Sequence, residues 1–190
     1  MQDLYDRRSR SFREKSKIKV THVWLLSLIL VVLTFSLSQL LNTNSYDDKI
    51  LNITYSQLTK ETQKQVDCLA DNIYYEAGFE PVDGRVAVAL VTLNRVQDPK
   101  FPKDICSVVK QKVKSTCQFS WYCEANKHIR NTAVYAEAQK IAVHVYANYE
   151  NLKDITDGAL FYHADYVNPR WKLEQTTVIG RHIFYKERLE

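Results

Sequence analysis

Glu76 is the residue in this sequence whose position best suits acid–base chemistry. It lies at the end of a predicted helix of about residues 62–77, four positions after Asn72 and seven after Leu69, at the edge of the helix's apolar stripe. A carboxyl group half-buried among aromatic residues has its charged form disfavoured, so its pKa rises and it can donate a proton near neutral pH. Most helical glutamates are solvated surface charges, so the assignment of Glu76 depends on the residues that accompany it.

A second group of residues, all further along the chain, has the types that bind sugars. Aromatic rings stack on the apolar face of a pyranose, and polar side chains hydrogen-bond its hydroxyl and acetamido groups. By composition alone, such residues are slightly more often core aromatics and polar loop residues. The candidates for substrate contact are Gln118, Phe119, Ser120, Tyr162, His163, Tyr166, Trp171 and His182.

Six sequence blocks follow one another between about Cys68 and Lys186. They are 72–77 (NIYYEA), 84–89 (GRVAVA) with 93–96 (LNRV), 101–102 (FP) with 105–106 (IC), 117–121 (CQFSW), 162–164 (YHA) with 166–169 (YVNP), and 179–184 (IGRHIF). Together they resemble the cell wall hydrolase family typified by spore cortex-lytic enzymes. One such block would be a weak signal, whereas six in the same order are specific.

The resemblance implies that Glu76 is the catalytic acid and that the partner is peptidoglycan, cut between N-acetylmuramic acid and N-acetylglucosamine. A lytic transglycosylase needs only one acid/base group, because the C6 hydroxyl of the sugar itself attacks. A muramidase that hydrolyses the same bond usually needs a second carboxylate. For that alternative, the candidates are Glu80, Asp83 and Asp165.

An apolar segment near the N-terminus is predicted to anchor the chain in a membrane. Residues 20–41 contain no charged side chain and would span roughly 33 Å as a helix, enough for the hydrocarbon core of a bilayer. Residues 1–19 hold seven basic and three acidic side chains, so the positive-inside rule places them in the cytoplasm. The alternative is a cleaved signal peptide, although its apolar stretch is usually only ~7–15 residues long.

The chain is therefore expected to be a single-pass protein of the inner (cytoplasmic) membrane, with its C-terminal domain in the periplasm or facing the cell wall. After residue 19 the basic and acidic residues number 19 each, so nothing indicates a nucleic-acid partner. No cofactor or metal is implied, and the oligomeric state is not predicted. The expected segments are a basic tail (1–19), a transmembrane signal anchor (20–41), a polar linker (42–60) and a catalytic domain (61–190).

The elements that must position the candidate residues are mainly helical. The resemblance implies a lysozyme-like α+β domain, and the sequence pattern predicts helices with one small antiparallel sheet. Gly78 is predicted to end the first helix in a left-handed cap. The predicted helices cover about 62–77, 86–96, a short stretch after Asp104, and 134–149, and the predicted strands cover 159–163 and 178–186.

The four cysteines, Cys68, Cys106, Cys117 and Cys123, are predicted to form two disulfides, because they lie on the oxidising side of the membrane. Three pairings are open, and the proximity of the last three suggests a stapled loop. A zinc site is the alternative, but five residues separate Cys117 from Cys123, more than the usual two to four.

Two other functions could be built from residues named above. A cysteine peptidase could pair a cysteine with His128, His163 or His182, although no nucleophile motif surrounds any of the cysteines. A non-catalytic glycan-binding module would need only the aromatic and polar residues, and it would bind purified wall without cutting it.

Overall fold

The computed structural model of the chain describes residues 28–34 and 50–188. Residues 28–34 are helical, and their apolar side chains are exposed. The rest of the predicted anchor at 20–41, the basic tail at 1–19 and residues 42–49 of the linker lie outside the described residues. Among the described residues, no helix has the length and apolar character needed to cross a membrane.

Four helices form the framework of the compact unit that begins at Ile50. Thr59, Asp104 and Asn131 each precede one of them and accept a hydrogen bond from a backbone N–H of its first turn, which satisfies a donor that has no partner within the helix. The first helix packs against all the others. The helices are α1 (Lys60–Ala77), α2 (Val82–Gln97), α3 (Ile105–Val109) and α4 (Thr132–Asn148), and each of them was predicted.

Helix α2 is the most deeply buried element. Every residue from Gly84 to Arg95 except Val86 is buried, so this helix has no polar face. Its Ala87 and Val91 pack with Ala159 and Phe184 in a small apolar cluster that joins the helices to the sheet. Because α2 is buried on all sides, its apolar run lacks the amphipathic pattern that distinguishes a helix from a buried strand.

Two antiparallel sheets complete the domain. A two-residue hairpin is formed by β1 (Lys112–Val113) and β2 (Thr116–Cys117). The larger sheet has the order β3-β5-β4, with β3 (Phe161–Ala164), β4 (Glu174–Ile179) and β5 (His182–Lys186).

The prediction of a single strand over 178–186 was wrong, because a turn at Gly180 divides that segment between β4 and β5. Gly180 has a φ of +57°, which disfavours side chains with a Cβ, and a Cβ there would also collide with the Glu80 carboxylate. The prediction of one strand pair is therefore corrected to three strands.

Gly78 follows α1 but does not adopt the predicted left-handed conformation. Its φ of −56° and ψ of −27° are right-handed. A Cβ at this position would lie 2.5 Å from the Tyr74 carbonyl oxygen and 3.2 Å from Cγ1 of Val134 on α4. Glycine is therefore required here mainly by the carbonyl of its own helix, with a tight contact to α4 in addition, and its access to positive φ is not used.

Residues 50–60 pack on the domain, so the predicted linker at 42–60 does not extend to Lys60. A short 3-10 helix (Tyr55–Gln57) lies just before α1, and the Tyr55 hydroxyl donates a hydrogen bond to Asp67 Oδ2 at 2.8 Å. The amide of Asn148 donates to the Leu51 carbonyl oxygen at 3.0 Å. These polar contacts could not be recognised from a segment whose composition is that of a tether.

All four cysteines are in disulfides. Cys68–Cys106 joins α1 to α3, and Cys117–Cys123 joins β2 to the end of a 3-10 helix (Ser120–Cys123). The prediction of two disulfides is confirmed. Of Cys106, Cys117 and Cys123, which were suggested to staple one loop, only Cys117 and Cys123 are joined to each other. With no free thiol, the chain has neither a cysteine nucleophile nor thiolate ligands for zinc.

Candidate functional site

Glu76 lies in the last turn of α1 and opens into a cleft of about 410 Å³. One wall of this cleft is the end of α1 with the residues that follow it, 74–80. The opposite wall is part of the irregular segment between the 3-10 helix and α4, and its lining residues are Glu124, Asn126, His128 and Arg130.

The carboxyl group of Glu76 is held by a tyrosine from the sheet. The hydroxyl of Tyr162 on β3 donates a hydrogen bond to Glu76 Oε2 at 3.1 Å. Burial raises the pKa of Glu76, while the Tyr162 hydrogen bond and the positive charge of Arg95 lower it and the charge of Glu124 raises it. The net pKa is above the ordinary value, so Glu76 keeps its proton to higher pH than an exposed glutamate does.

Arg95, near the end of α2, is the cation whose charge lowers the pKa of Glu76. Its side chain is buried, and its Nε donates to the Leu160 carbonyl oxygen at 2.7 Å. The guanidinium lies 5.0 to 5.8 Å from the centres of three phenylalanine rings. Beside it, the amide of Asn94 donates to the Ala159 carbonyl oxygen at 3.1 Å. These two side chains fix the chain just before β3, and through it the position of Tyr162.

Asn72 supports the cleft from beneath. It is buried in α1, accepts a hydrogen bond from Trp121 Nε1 at 3.0 Å and donates to Thr92 Oγ1 at 3.1 Å. The Trp121 ring then stacks on Tyr75 with centroids 4.6 Å apart. One amide therefore joins α1, α2 and the 3-10 helix, and fixes the aromatic ring next to Glu76.

Tyr74 anchors the opposite wall. Its hydroxyl accepts hydrogen bonds from the backbone N–H groups of Arg130 and Asn131, at 3.0 and 3.1 Å. The irregular segment that faces Glu76 is therefore attached to the helix that carries Glu76. In this segment the sequence suggested only His128, for the alternative of a cysteine peptidase, and Glu124, Asn126 and Arg130 carry no motif by which they could have been found.

The sheet divides the predicted substrate-binding residues between its two faces. Successive residues of a strand point to opposite faces, so Tyr162 and His163 cannot both face Glu76. Tyr162 shares its face with His182, whose buried ring lies edge-on to it with centroids 5.1 Å apart. On the other face, Nε2 of His163 is 3.0 Å from the hydroxyl of Tyr185, and both rings pack against Trp171.

The remaining predicted residues lie outside the α-helices and the larger sheet. Gln118 and Ser120 are exposed near the Cys117–Cys123 disulfide, and Tyr166 is 78% exposed in the turn after β3. Phe119 is only 3% exposed, and the centre of its ring lies 5.0 Å from the Arg95 guanidinium, so it offers little surface to a substrate. None of these four residues is among those that line the cleft.

Of the three candidates for a second carboxylate, only Glu80 lines the cleft. Its Oε2 accepts a hydrogen bond from the backbone N–H of Arg181 at 2.9 Å, which fastens the β4–β5 turn to the start of α2. Asp83 is exposed in the first turn of α2. Asp165 forms an ion pair with the Arg181 guanidinium, which lowers the pKa of Asp165. Glu124, which the sequence did not single out, lines the cleft with Glu76 and Glu80.

Across residues 28–34 and 50–188, no three histidine, cysteine, aspartate or glutamate side chains come together as ligands for a metal ion. The arrangement is that of one carboxyl group with a raised pKa at the edge of an open cleft, hydrogen-bonded by a tyrosine and within the influence of an arginine.

The sequence model of the Cell Wall Hydrolase family matches residues 79–185, more than half of the chain. The match includes Arg95, Tyr162 and His182, and it begins just after Glu76.

Known relatives agree with this match. The spore cortex-lytic enzyme of Bacillus subtilis (strain 168) is 29% identical over 123 residues, which are 61% of this chain and 35% of that enzyme. The chain thus spans about a third of the length of that relative.

Two solved structures are similar over the domain. The catalytic domain of the germination-specific lytic transglycosylase SleB from Bacillus anthracis is 28% identical with a TM-score of 0.52, over 65% of this chain and 95% of that one. The catalytic domain of the Bacillus cereus SleB protein is 28% identical with a TM-score of 0.50, over 65% and 91%. The mainly helical fold with small antiparallel sheets is therefore the fold of these catalytic domains.

Proposed function

Because the chain belongs to the cell wall hydrolase family, we propose that its domain cleaves the glycan strands of peptidoglycan between N-acetylmuramic acid and N-acetylglucosamine. The observation that carries the proposal is the Glu76 carboxyl, which has a raised pKa and opens into a cleft while Tyr162 holds its second oxygen. The SleB catalytic domains similar to this chain include one described as a lytic transglycosylase, which supports the same reaction here.

The proposed reaction uses Glu76 twice. Its protonated carboxyl first donates the proton to the glycosidic oxygen, so that the leaving N-acetylglucosamine departs as an alcohol. The resulting carboxylate then accepts the proton of the C6 hydroxyl on N-acetylmuramic acid, and that oxygen bonds to C1 of the same sugar. Tyr162 and the Arg95 charge stabilise the carboxylate formed between the two steps, because both lower the pKa of Glu76. We also propose that the domain has a lysozyme-like fold.

A muramidase is the second candidate, and the position of two further carboxylates supports it. Glu80 and Glu124 line the cleft with Glu76, and either could direct a water molecule at the sugar. A glycan-binding module without activity has less support, because a carboxyl with a raised pKa is not needed for binding alone.

We further propose that cleavage takes place outside the cytoplasmic membrane, with the chain anchored through residues 20–41. Seven basic residues precede that apolar segment, and disulfides persist mainly in oxidising compartments.

Digestion of purified peptidoglycan tests the reaction. The wild-type chain should release fragments with 1,6-anhydro ends, lighter by one water than ordinary reducing ends, and mass spectrometry separates the two products. Glu76→Gln keeps the shape of the side chain but cannot donate a proton, so its rate should fall about 10²- to 10⁴-fold while its fold is retained.

A matched variant on the same helix controls for the loss of a carboxylate. Glu61→Gln changes an exposed glutamate in the first turn of α1 and should leave the rate unchanged. Undiminished cleavage by Glu76→Gln would reject Glu76 as the acid. Ordinary reducing ends from the wild type would reject the anhydro route, and Glu80→Gln and Glu124→Gln would then be tested for the second carboxylate.

A further inference from the structure

A second hollow adjoins the catalytic cleft. It has a volume of about 370 Å³ and shares Tyr75 and His128 with the cleft as common wall residues. Because the cleft and the hollow share these two residues, a substrate bound at Glu76 that also lies across Tyr75 reaches the hollow. The Tyr75 ring is stacked on the buried Trp121, so this part of the shared wall is rigid and apolar.

The opposite side of the hollow is cationic. Residues 110–130 hold five basic side chains and one acidic side chain, although basic and acidic residues balance over the whole chain after residue 19. Of these, Lys110 and Lys127 line the hollow. The Lys127 ammonium is fixed in place, because it donates to the Tyr122 carbonyl oxygen at 2.6 Å and lies 4.4 Å from the centre of the Tyr122 ring.

One carboxylate faces these two lysines. Asp71 lines the hollow from α1, half-buried, and burial raises its pKa. Lys110 and Lys127 both lower the pKa of Asp71 by their charge. One partly buried carboxylate does not balance two ammonium groups. The hollow therefore keeps a positive charge and free donors for a further anion.

Uncharged sugars gain little from ammonium groups, so the cations indicate another part of the substrate. In peptidoglycan, the lactyl group of N-acetylmuramic acid carries a peptide with free carboxylates. We propose that the hollow lined by Lys110 and Lys127 binds a carboxylate of this stem peptide, so that the domain prefers glycan strands that still carry peptides. The proposal rests on the function proposed above and specifies which form of the substrate the site accepts.

Binding measured without cleavage tests the proposal. The full-length Glu76→Gln chain in detergent is titrated with two preparations of the same strands, both free of phosphate polymers. One preparation carries its peptides, and the other has been stripped by an amidase. The Glu76→Gln chain should bind the peptide-bearing strands more tightly. The added changes Lys110→Ala and Lys127→Ala should together remove that preference, with a loss of about three- to tenfold on the peptide-bearing strands alone.

Two further variants make the result specific. Lys110→Arg with Lys127→Arg keeps both charges and should retain the preference. Lys140→Ala removes an exposed lysine of α4 outside the hollow and should change neither affinity. Equal affinity for the two preparations, or equal weakening by the double alanine variant, would overturn the proposal. Because no bond is cut in this assay, such a result would overturn only the proposed peptide site. A wild-type chain that binds wall but does not cleave it would overturn the proposed function.

Discussion

At the scale of single residues, the protonation of Glu76 results from opposing effects. Removal from water raises the pKa of its carboxyl, and this effect exceeds the lowering by the Tyr162 hydrogen bond and the Arg95 charge. A general acid must be protonated to act, so activity falls as the pH rises through this pKa. The alkaline limb of the pH profile therefore reports the surroundings of Glu76.

Replacement of Tyr162 by Phe tests this relation. The variant loses a hydrogen bond that favours the carboxylate, so the pKa of Glu76 rises further and the alkaline limb of the pH profile should move to higher pH. The maximal rate should fall about fivefold, because one neutral hydrogen bond is worth about 1 kcal/mol. The measurement is the initial rate of strand cleavage as a function of pH.

Tyr185→Phe is the matched control for this experiment. It removes a tyrosine hydroxyl from the same sheet, where that hydroxyl lies 3.0 Å from His163 on the face away from Glu76. Its pH profile should match the wild type. A shift of the alkaline limb to lower pH in Tyr162→Phe, or equal shifts in both variants, would contradict the assignment of Tyr162.

The sequence predicted Glu76 and Tyr162 as site residues but not their contact. Tyr162 was expected to contact sugar, and that prediction did not include the hydrogen bond from its hydroxyl to Glu76. His163 was grouped with it as a sequence neighbour, whereas the alternation of a strand places the two on opposite faces. Once 159–163 is predicted as a strand, that separation could have been derived. The burial of Phe119 could not, because it depends on the position of Arg95 in another helix.

At the scale of elements, the two disulfides have different mechanical roles. Cys68–Cys106 joins helices α1 and α3 across 38 positions of sequence, and Cys117–Cys123 closes a loop across only six. The short loop contains Trp121, which supports Tyr75 in the cleft wall. The long-range bridge therefore restricts the unfolded chain more, whereas the short one lies closer to the site.

Paired serine variants should separate these roles. By loop-closure entropy, loss of Cys68–Cys106 should lower the free energy of unfolding by about 4 kcal/mol and loss of Cys117–Cys123 by about 2 kcal/mol. Unfolding of each double-serine variant in urea, compared with the oxidised wild type, measures both values. A larger loss from the short bridge would indicate that native contacts around Trp121, rather than chain entropy, determine its contribution.

The elements themselves were predictable to different degrees. Helices α1, α3 and α4 have apolar periodicity or caps that a single sequence reveals, and Asp104 marked the start of α3 correctly. The β4–β5 turn was missed because a lone Gly-Arg step between apolar runs is a weak hairpin signal. The wall at 124–130 was missed because its position depends on hydrogen bonds to Tyr74, which leave no local pattern.

At the scale of the whole molecule, the uneven distribution of charge predicts an orientation across the membrane. Seven of the basic residues precede the apolar segment at 20–41, and the rest of the chain is balanced. With an epitope tag at the N-terminus, a protease added to intact spheroplasts should remove the domain beginning near Ile50 and leave the tag intact. Detergent should then expose the tag to the same protease. A domain that survives until detergent is added would place it in the cytoplasm and contradict the orientation.

The strand order of the larger sheet determines how late in synthesis the surroundings of Glu76 can be completed. The central strand, β5, is the last of the described elements to leave the ribosome, and Tyr162 pairs directly with its Phe184. A chain interrupted before His182 contains Glu76 and all four helices but lacks the strand that holds Tyr162 against the acid. A prematurely terminated product would therefore lack both the strand that pairs with Tyr162 and the Phe184 side chain that packs on α2, and we expect it to be inactive.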